Sequence, residues 1–279
     1  MNSQACSHQY PVHVQFCPVC GRFVGYPNVR AASDEAEALA LNRRREAAEN
    51  QAGVGGYADL FSAFGSAVSN SVAVTVRSLA ALDSFVASDS QLMISYHRMV
   101  RAGSRIPENN DWDPYRAAAD STVNPHYYEE IQFGALSLDG RGVKWFGDYH
   151  ITFDEDAISH RSTIFEENPF IFCRRKKISA GQGVPVGYRS LWQNRGILAQ
   201  AKLGAKLRGG EPAAFQAILV EDAAKNGEAD YIEVHIFGDL HRRAIKRVIG
   251  PRPSTDEGRV IWRTVRRNLE EVGAELVET

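Results

Sequence analysis

From Ile131 onward the chain is cut into short runs bounded by Gly, Pro, Asn and Asp: IQFGALSL, VKWFGDYHITF, STIFEENPFIF, AFQAILV and YIEVHIF. Side chains two apart on a strand share a face, so alternating runs of this length require a sheet with a buried side. One segment, Tyr188 to Leu207, interrupts them with helical character. The whole stretch, roughly 150 residues, is long enough to bury its own core. The expected class is α+β.

The first half reads differently. Ala32 to Ala52 is dominated by Ala, Glu, Arg and Leu. Ser33 is placed to cap this helix, with Asp34 and Glu35 in a first turn that favours negative charge. Its mostly polar faces suit a solvated connector. Gly53 to Gly56 end it. From Tyr57 to Arg101, apolar positions such as Leu60, Phe64, Val68 and Val72 recur at helical spacing and predict one or two helices. Arg105 to Tyr128 is rich in Pro, Asn and Asp and reads as a long loop that carries a domain boundary.

The 279 residues are 44% hydrophobic and 24% charged, with a net charge of −2. That balance is globular, without a global pull toward nucleic acid, so any basic surface is local. The stretch nearest to a membrane span, Tyr57 to Val86, contains Arg77 and Asp83 and reads as packed helix. The chain does not open with a basic-then-apolar leader pattern. Three of the four cysteines lie within the first twenty residues. That clustering suits a metal site in a reducing compartment, so the cytoplasm is the expected location.

In CSHQYPVHVQFCPVCGR, Cys17 and Cys20 sit in a tight turn that points both sulfurs inward, with Gly21 helping the chain reverse. Cys6 and His8 would complete a tetrahedral zinc site, with His13 as the other choice for the fourth ligand. A closed four-ligand site is structural. The expected organisation is a zinc-ribbon-like module over residues 1–30, a helical region over 31–105 and an α+β domain over 106–279.

Three stretches carry side chains suited to chemistry. In ADYIEVHIFG, Glu233, His235 and Phe237 point one way and Ile232, Val234 and Ile236 the other. A carboxylate on a rigid strand can stabilise an oxocarbenium-like charge and bind a ribose hydroxyl. The same pattern also fits an edge strand with a solvated polar face. In GYRSLWQNRGILAQAKLGAKL, Tyr188, Trp192, Arg195, Ala199, Lys202 and Lys206 fall on one face if the whole segment is helical. An aromatic end passing into a basic end suits a ring beside phosphates, or simply basic stems covering packed aromatics. In FGDYHITFDEDAISHRSTIFEENPFIF, a hairpin-sized segment carries His150, Arg161, Ser162, Glu166 and Glu167. Arg161 and Ser162 can hold a pyrophosphate or a ribose.

Taken together these residues resemble the ADP-ribosyltransferases, in particular the bacterial toxin-like members, over about Ile131 to Gly250. The resemblance implies a split β-sheet around a nicotinamide cleft, with NAD as co-substrate. Glu233, in YIEVHIFG followed by DLHRRAIKRVI, takes the place of the late catalytic glutamate. His150 or Arg161 takes the early NAD-holding position. Tyr188 joins Glu233 and His150 in the catalytic set, and Arg161, Ser162, Trp192, Arg195, Lys202 and His235 line the NAD site. Tyr231 stands two residues before Glu233, where arginine-modifying members have Gln or Glu. The implied acceptor is therefore nucleic acid or a protein group other than arginine, with nucleic acid favoured. A transferase toxin or phage-defence effector also implies a neutralising protein partner.

Two other readings compete. HITF at His150 and HIFG at His235, 85 positions apart, echo the paired elements of two-histidine RNA phosphoesterases, although Phe237 replaces the second hydroxyl. A non-enzymatic scaffold or nucleic-acid binder would instead use the basic C-terminal segment, with Trp262, Arg263, Arg266 and Arg267 on one helix. The plainer expectation for that helix buries Val260, Trp262, Val265, Leu269 and Val272.

Overall fold

A computed structural model describes residues 6–106, 113–222 and 228–279. Eight strands build the main sheet: β1 (Val72–Arg77), β2 (Ile131–Ser137), β3 (Tyr149–Phe153), β4 (Ser162–Phe165), β5 (Arg189–Leu191), β6 (Glu233–Phe237), β7 (Ile245–Gly250) and β8 (Glu275–Glu278). Their order is β8-β7-β3-β1-β2-β6-β4-β5. β7 and β8 pair in parallel, and the other neighbours are antiparallel. The protein is thus mixed α/β with a mixed sheet.

The central β1 departs from the helical reading of Tyr57 to Arg101. Val-Ala-Val-Thr-Val-Arg is buried at all four interior positions, so it shows no alternation to distinguish it from a buried helix. Its β-branched valines and threonine favour the pleated form. The helical reading holds for its flanks, α3 (Ala58–Ser69) and α4 (Leu79–Val86). The expected boundary near residue 105 does not separate two cores. β1, before it, is hydrogen-bonded between β2 and β3, both after it. Phe61 and Phe64 share a core with Ile151 and Val234.

Further local corrections have simple causes. Asp34, not Ser33, caps α2 (Glu35–Val54), accepting the Ala36 N–H at 2.8 Å. Ser33 instead closes α1 (Pro27–Ala32) and returns its hydroxyl to the Val29 carbonyl. α2 is no solvated connector, since Leu41 and Ala52 are buried where it packs on α8 (Arg195–Leu203). Within Arg105 to Tyr128, read as loop, Asp113–Val123 forms α6, which packs on α7 (Pro169–Lys176); residues 107–112 of that loop lie outside the described residues. α5 (Tyr96–Arg101) precedes it. The C-terminal α9 (Asp256–Glu271) buries Trp262, Val265 and Leu269, while Val260 is exposed. Trp262 donates to Glu278, so it does not face a nucleic acid. No helix among the described residues is long and apolar enough to cross a membrane.

The two sheet faces have different covers. Ala73, Ile164 and Val234 meet Phe64, Val68, Leu198 and Leu203 in the main core. On the other face, Phe165 meets Val123, Phe172 and Cys173 from α6 and α7. Phe165 is paired with Glu233, so Glu233 shares the face that α6 covers.

Candidate active site and metal centre

β6 lies between β2 and β4, and its register sets Glu233 beside Ala135 and Phe165. Glu233 is only 2% exposed. The Tyr231 hydroxyl donates to one carboxylate oxygen at 3.2 Å, and His235 Nε2 lies 3.0 Å from the other. The Asn124 amide nitrogen is 3.2 Å from His235 Nδ1, which leaves Nε2 to carry the proton facing Glu233. The imidazole stands edge-on to Phe133 and stacks on Phe165. The carboxylate is therefore fixed by a buried chain from Asn124 through His235. Burial pushes its pKa up, while the His235 hydrogen bond and charge pull it back. Burial also raises the Tyr231 phenol, reinforced by the Glu233 charge.

Glu233 lines a cleft with about 80 Å³ of free room, shared with Arg77, Arg105, Arg116, Tyr96 and Phe133. Arg77 ends β1 and returns one N–H to the Val76 carbonyl. Burial, then the charges of Arg116 and Arg105, bring its guanidinium down to about 10. Among the described residues, neither Arg77 nor Arg105 is ion-paired. Arg116 lies over the Tyr96 and Phe133 rings and donates to Asp120 at 3.3 Å. Asp120 is 2.7 Å from His97 Nε2. Three guanidiniums at one cleft, one of them paired with the buried Asp120, beside the buried Glu233 fit an anionic ligand that also presents hydroxyls or a developing positive charge.

The three arginines were not singled out in the sequence. Arg77 sits in a segment read as helix and Arg116 in one read as loop. A strand reading of VAVTVR would have placed a cation at its end. Of the residues singled out as catalytic or NAD-binding, Glu233 lines the cleft, and His235 is buried behind it, 3.0 Å from its carboxylate.

The others are engaged elsewhere. His150 shares the sheet face of Glu233 but sits three strands away, roughly 14 Å at ordinary strand spacing. It accepts the Gly142 N–H at 3.0 Å. Arg161 donates to the carbonyls of Ala157, Phe237 and Asp239, and Ser162 to that of Ile158. The anion-holding role expected for this pair is therefore taken up by backbone. The expected hairpin does not form: β3 and β4 are separated by β1, β2 and β6. Glu166 and Glu167 lie past the end of β4, where both bind Arg175 and Glu166 also binds Arg44.

The segment Tyr188 to Leu207 is helical only from Arg195, because β5 and a short 3₁₀ turn precede it. The expected single face is therefore broken. Tyr188 lies under Arg44 and accepts from Lys176 at 2.8 Å. Trp192 and Arg195 donate to Glu155. Lys202 pairs with Asp230 and Lys206 with Glu221 and Asp230.

At the N-terminus, the ligand atoms of Cys6, His8, Cys17 and Cys20 all lie within 4.8 Å of one another. Cys6 Sγ is 3.6 Å from Cys20 Sγ and 3.7 Å from His8 Nδ1, and Cys17 Sγ is 3.8 Å from the same nitrogen. Tetrahedral bonds of ordinary zinc length place ligand atoms about 3.5–3.8 Å apart, so this donor set fits a metal ion. Gly21, at φ +68°, reverses the turn, and its N–H returns to the Cys17 carbonyl. Burial raises the Cys17 thiol, but N–H donors from Cys20 and Val19 outweigh it and bring it down to about 6. His13 packs instead on His126.

The chain matches no protein-family model and no curated protein.

Proposed function

We propose that the protein is an NAD-dependent ADP-ribosyltransferase with Glu233 as its catalytic carboxylate. The observation that carries the reading is a buried, doubly hydrogen-bonded Glu233 facing Arg77 and Arg105 in one cleft. A dinucleotide offers the matching groups: a pyrophosphate for the arginines, rings for Tyr96 and Phe133, and a ribose for the carboxylate. The early cation is then Arg77 rather than His150 or Arg161.

The C1′–N bond to nicotinamide breaks, its electron pair leaving with the neutral ring. Ionised Glu233 stabilises the positive charge that develops on the sugar. The acceptor's lone pair forms the new bond to C1′, and the acceptor proton is released. His235 and Tyr231 keep the carboxylate oriented, so little reorganisation accompanies the charge change.

Zn²⁺ is the metal proposed for Cys6, His8, Cys17 and Cys20, in a structural role. A full set of four protein ligands leaves no position for a substrate.

The test uses purified protein, NAD labelled on the adenylate and separate RNA, DNA and protein acceptors. Label on one class, lost in Glu233→Gln and in Arg77→Ala, is the expected result. Nicotinamide release and labelling that persist in Glu233→Gln would overturn it. Two-histidine phosphoester chemistry is less well supported, since His150 and His235 lie three strands apart.

A further inference from the structure

The turn between β2 and β3 carries a solvent-facing indole next in sequence to a residue that lines the cleft. Trp145 is 83% exposed and Phe146 46% exposed. Phe146 and Val143 line the same cleft as Glu233 and Arg77.

The turn is anchored at both ends. Gly142 gives its N–H to His150 Nδ1, and a side chain there would come within 2.9 Å of Val76. Gly147, at φ +141°, lies so close to the Arg77 backbone that a Cβ would come within 2.4 Å of it. The Lys144 N–H is held by Asp222 at 2.7 Å. A large apolar ring displayed by a pinned turn costs solvation without adding to the core.

Its flanks are cationic. Arg141 and Lys144 are exposed, and among the described residues neither side chain has an ion-pair partner. Two of the nearby carboxylates are locally engaged, and a third, Asp148, is exposed just past Gly147. Asp139 accepts from Ser137 and from the Arg141 N–H, and Asp222 holds the Lys144 N–H.

We infer that this turn is the acceptor-binding element and that the acceptor is single-stranded nucleic acid, with a base stacked on Trp145 and flanking phosphates on Arg141 and Lys144. Stacking on an exposed aromatic beside unpaired cations is how single strands are held without sequence readout. The inference deepens the transferase reading and rests on it for the meaning of "acceptor". The contact itself does not require NAD.

The experiment is therefore done without NAD. Fluorescently labelled single-stranded RNA and DNA homopolymers are titrated with the full chain, reading anisotropy and tryptophan quenching. The expected result is that Trp145→Ala weakens binding roughly 5- to 100-fold. Trp145→Phe should weaken it less and, made in a Trp112→Phe background, abolish most of the quenching, because Trp192 and Trp262 are buried. Arg141→Ala with Lys144→Ala should flatten the salt dependence. Circular dichroism and thermal melting of each variant establish that it is folded. Wild-type protein that binds no single strand, or folded Trp145→Ala that binds as well as wild type, would overturn the inference. Trp145-dependent binding by a protein that never cleaves NAD would leave this surface standing and remove the transferase reading instead.

Discussion

The Asn28 side-chain amide, eight residues past Cys20, donates to the backbone carbonyl of His235 at 3.1 Å and to that of Arg161 at 2.9 Å. Asn28 is 2% exposed. Tyr26, just before it, packs on Phe237 and His160. The hairpin that carries the Cys/His cluster is thus fastened to the strand that carries Glu233.

Asn28→Ala would leave two buried carbonyls without this donor. The expected cost is about 2 kcal/mol, a fall in melting temperature of roughly 5 °C. Stripping the metal with a chelator should act in the same place. Hydrogen exchange should rise along β6 before it rises along β3 or β7. Uniform loss of protection across all three strands would show that the hairpin has no privileged coupling to β6.

Glu233→Gln keeps the side-chain volume and can still accept from His235. Transfer from NAD should fall roughly 10²–10³-fold with the fold intact. The KM for NAD should change little by comparison, because the ionised carboxylate is needed when the sugar becomes cationic. A loss confined to KM would point to a binding role only.

The pH dependence has a definite sign. Burial raises the Glu233 pKa in the folded state. Its contribution to stability is therefore present below the usual carboxylate range and lost as pH rises through the folded value. Glu233→Gln should melt above wild type at neutral pH, and the two should converge in acid. Activity should run the other way, falling as pH drops through the same raised value. Melting and rate profiles measured together on both proteins would check this, and coincident melting curves at every pH would contradict it.

Arg77 is crowded by Arg105 and Arg116. Arg77→Gln should relieve repulsion and leave melting temperature unchanged or raised. NAD affinity should drop roughly 10- to 100-fold, the scale of a lost charge-assisted contact. Calorimetric titration against thermal melting separates the two effects.

Much of the local chemistry was legible in the residues themselves. Four thiol and imidazole groups in twenty residues suggested a cluster that could hold a metal, and the fold brings their donor atoms within 4.8 Å of one another. The choice of His8 over His13 needed the folded hairpin. In YIEVHIFG, period two alone put Glu233 and His235 on one face, as β6 has them. α9 was readable for the same reason, since its apolar stripe has the helical period and buries Trp262, Val265 and Leu269.

Where those pieces meet was decided by tertiary structure. VAVTVR is buried on both faces, so it carries no periodic signal, and only long-range pairing with β2 and β3 makes it the central strand. That pairing puts Arg77 in the cleft. Packing of α6 over the sheet brings in Arg116 and Asn124, from a segment whose composition suggested loop. The same strand order takes His150 away from Glu233 and gives it the turn that displays Trp145. Short-range sequence determines which face a side chain takes, because that follows from local backbone period. Which faces confront one another follows from strand order and register, and these are set by burial summed over the whole chain.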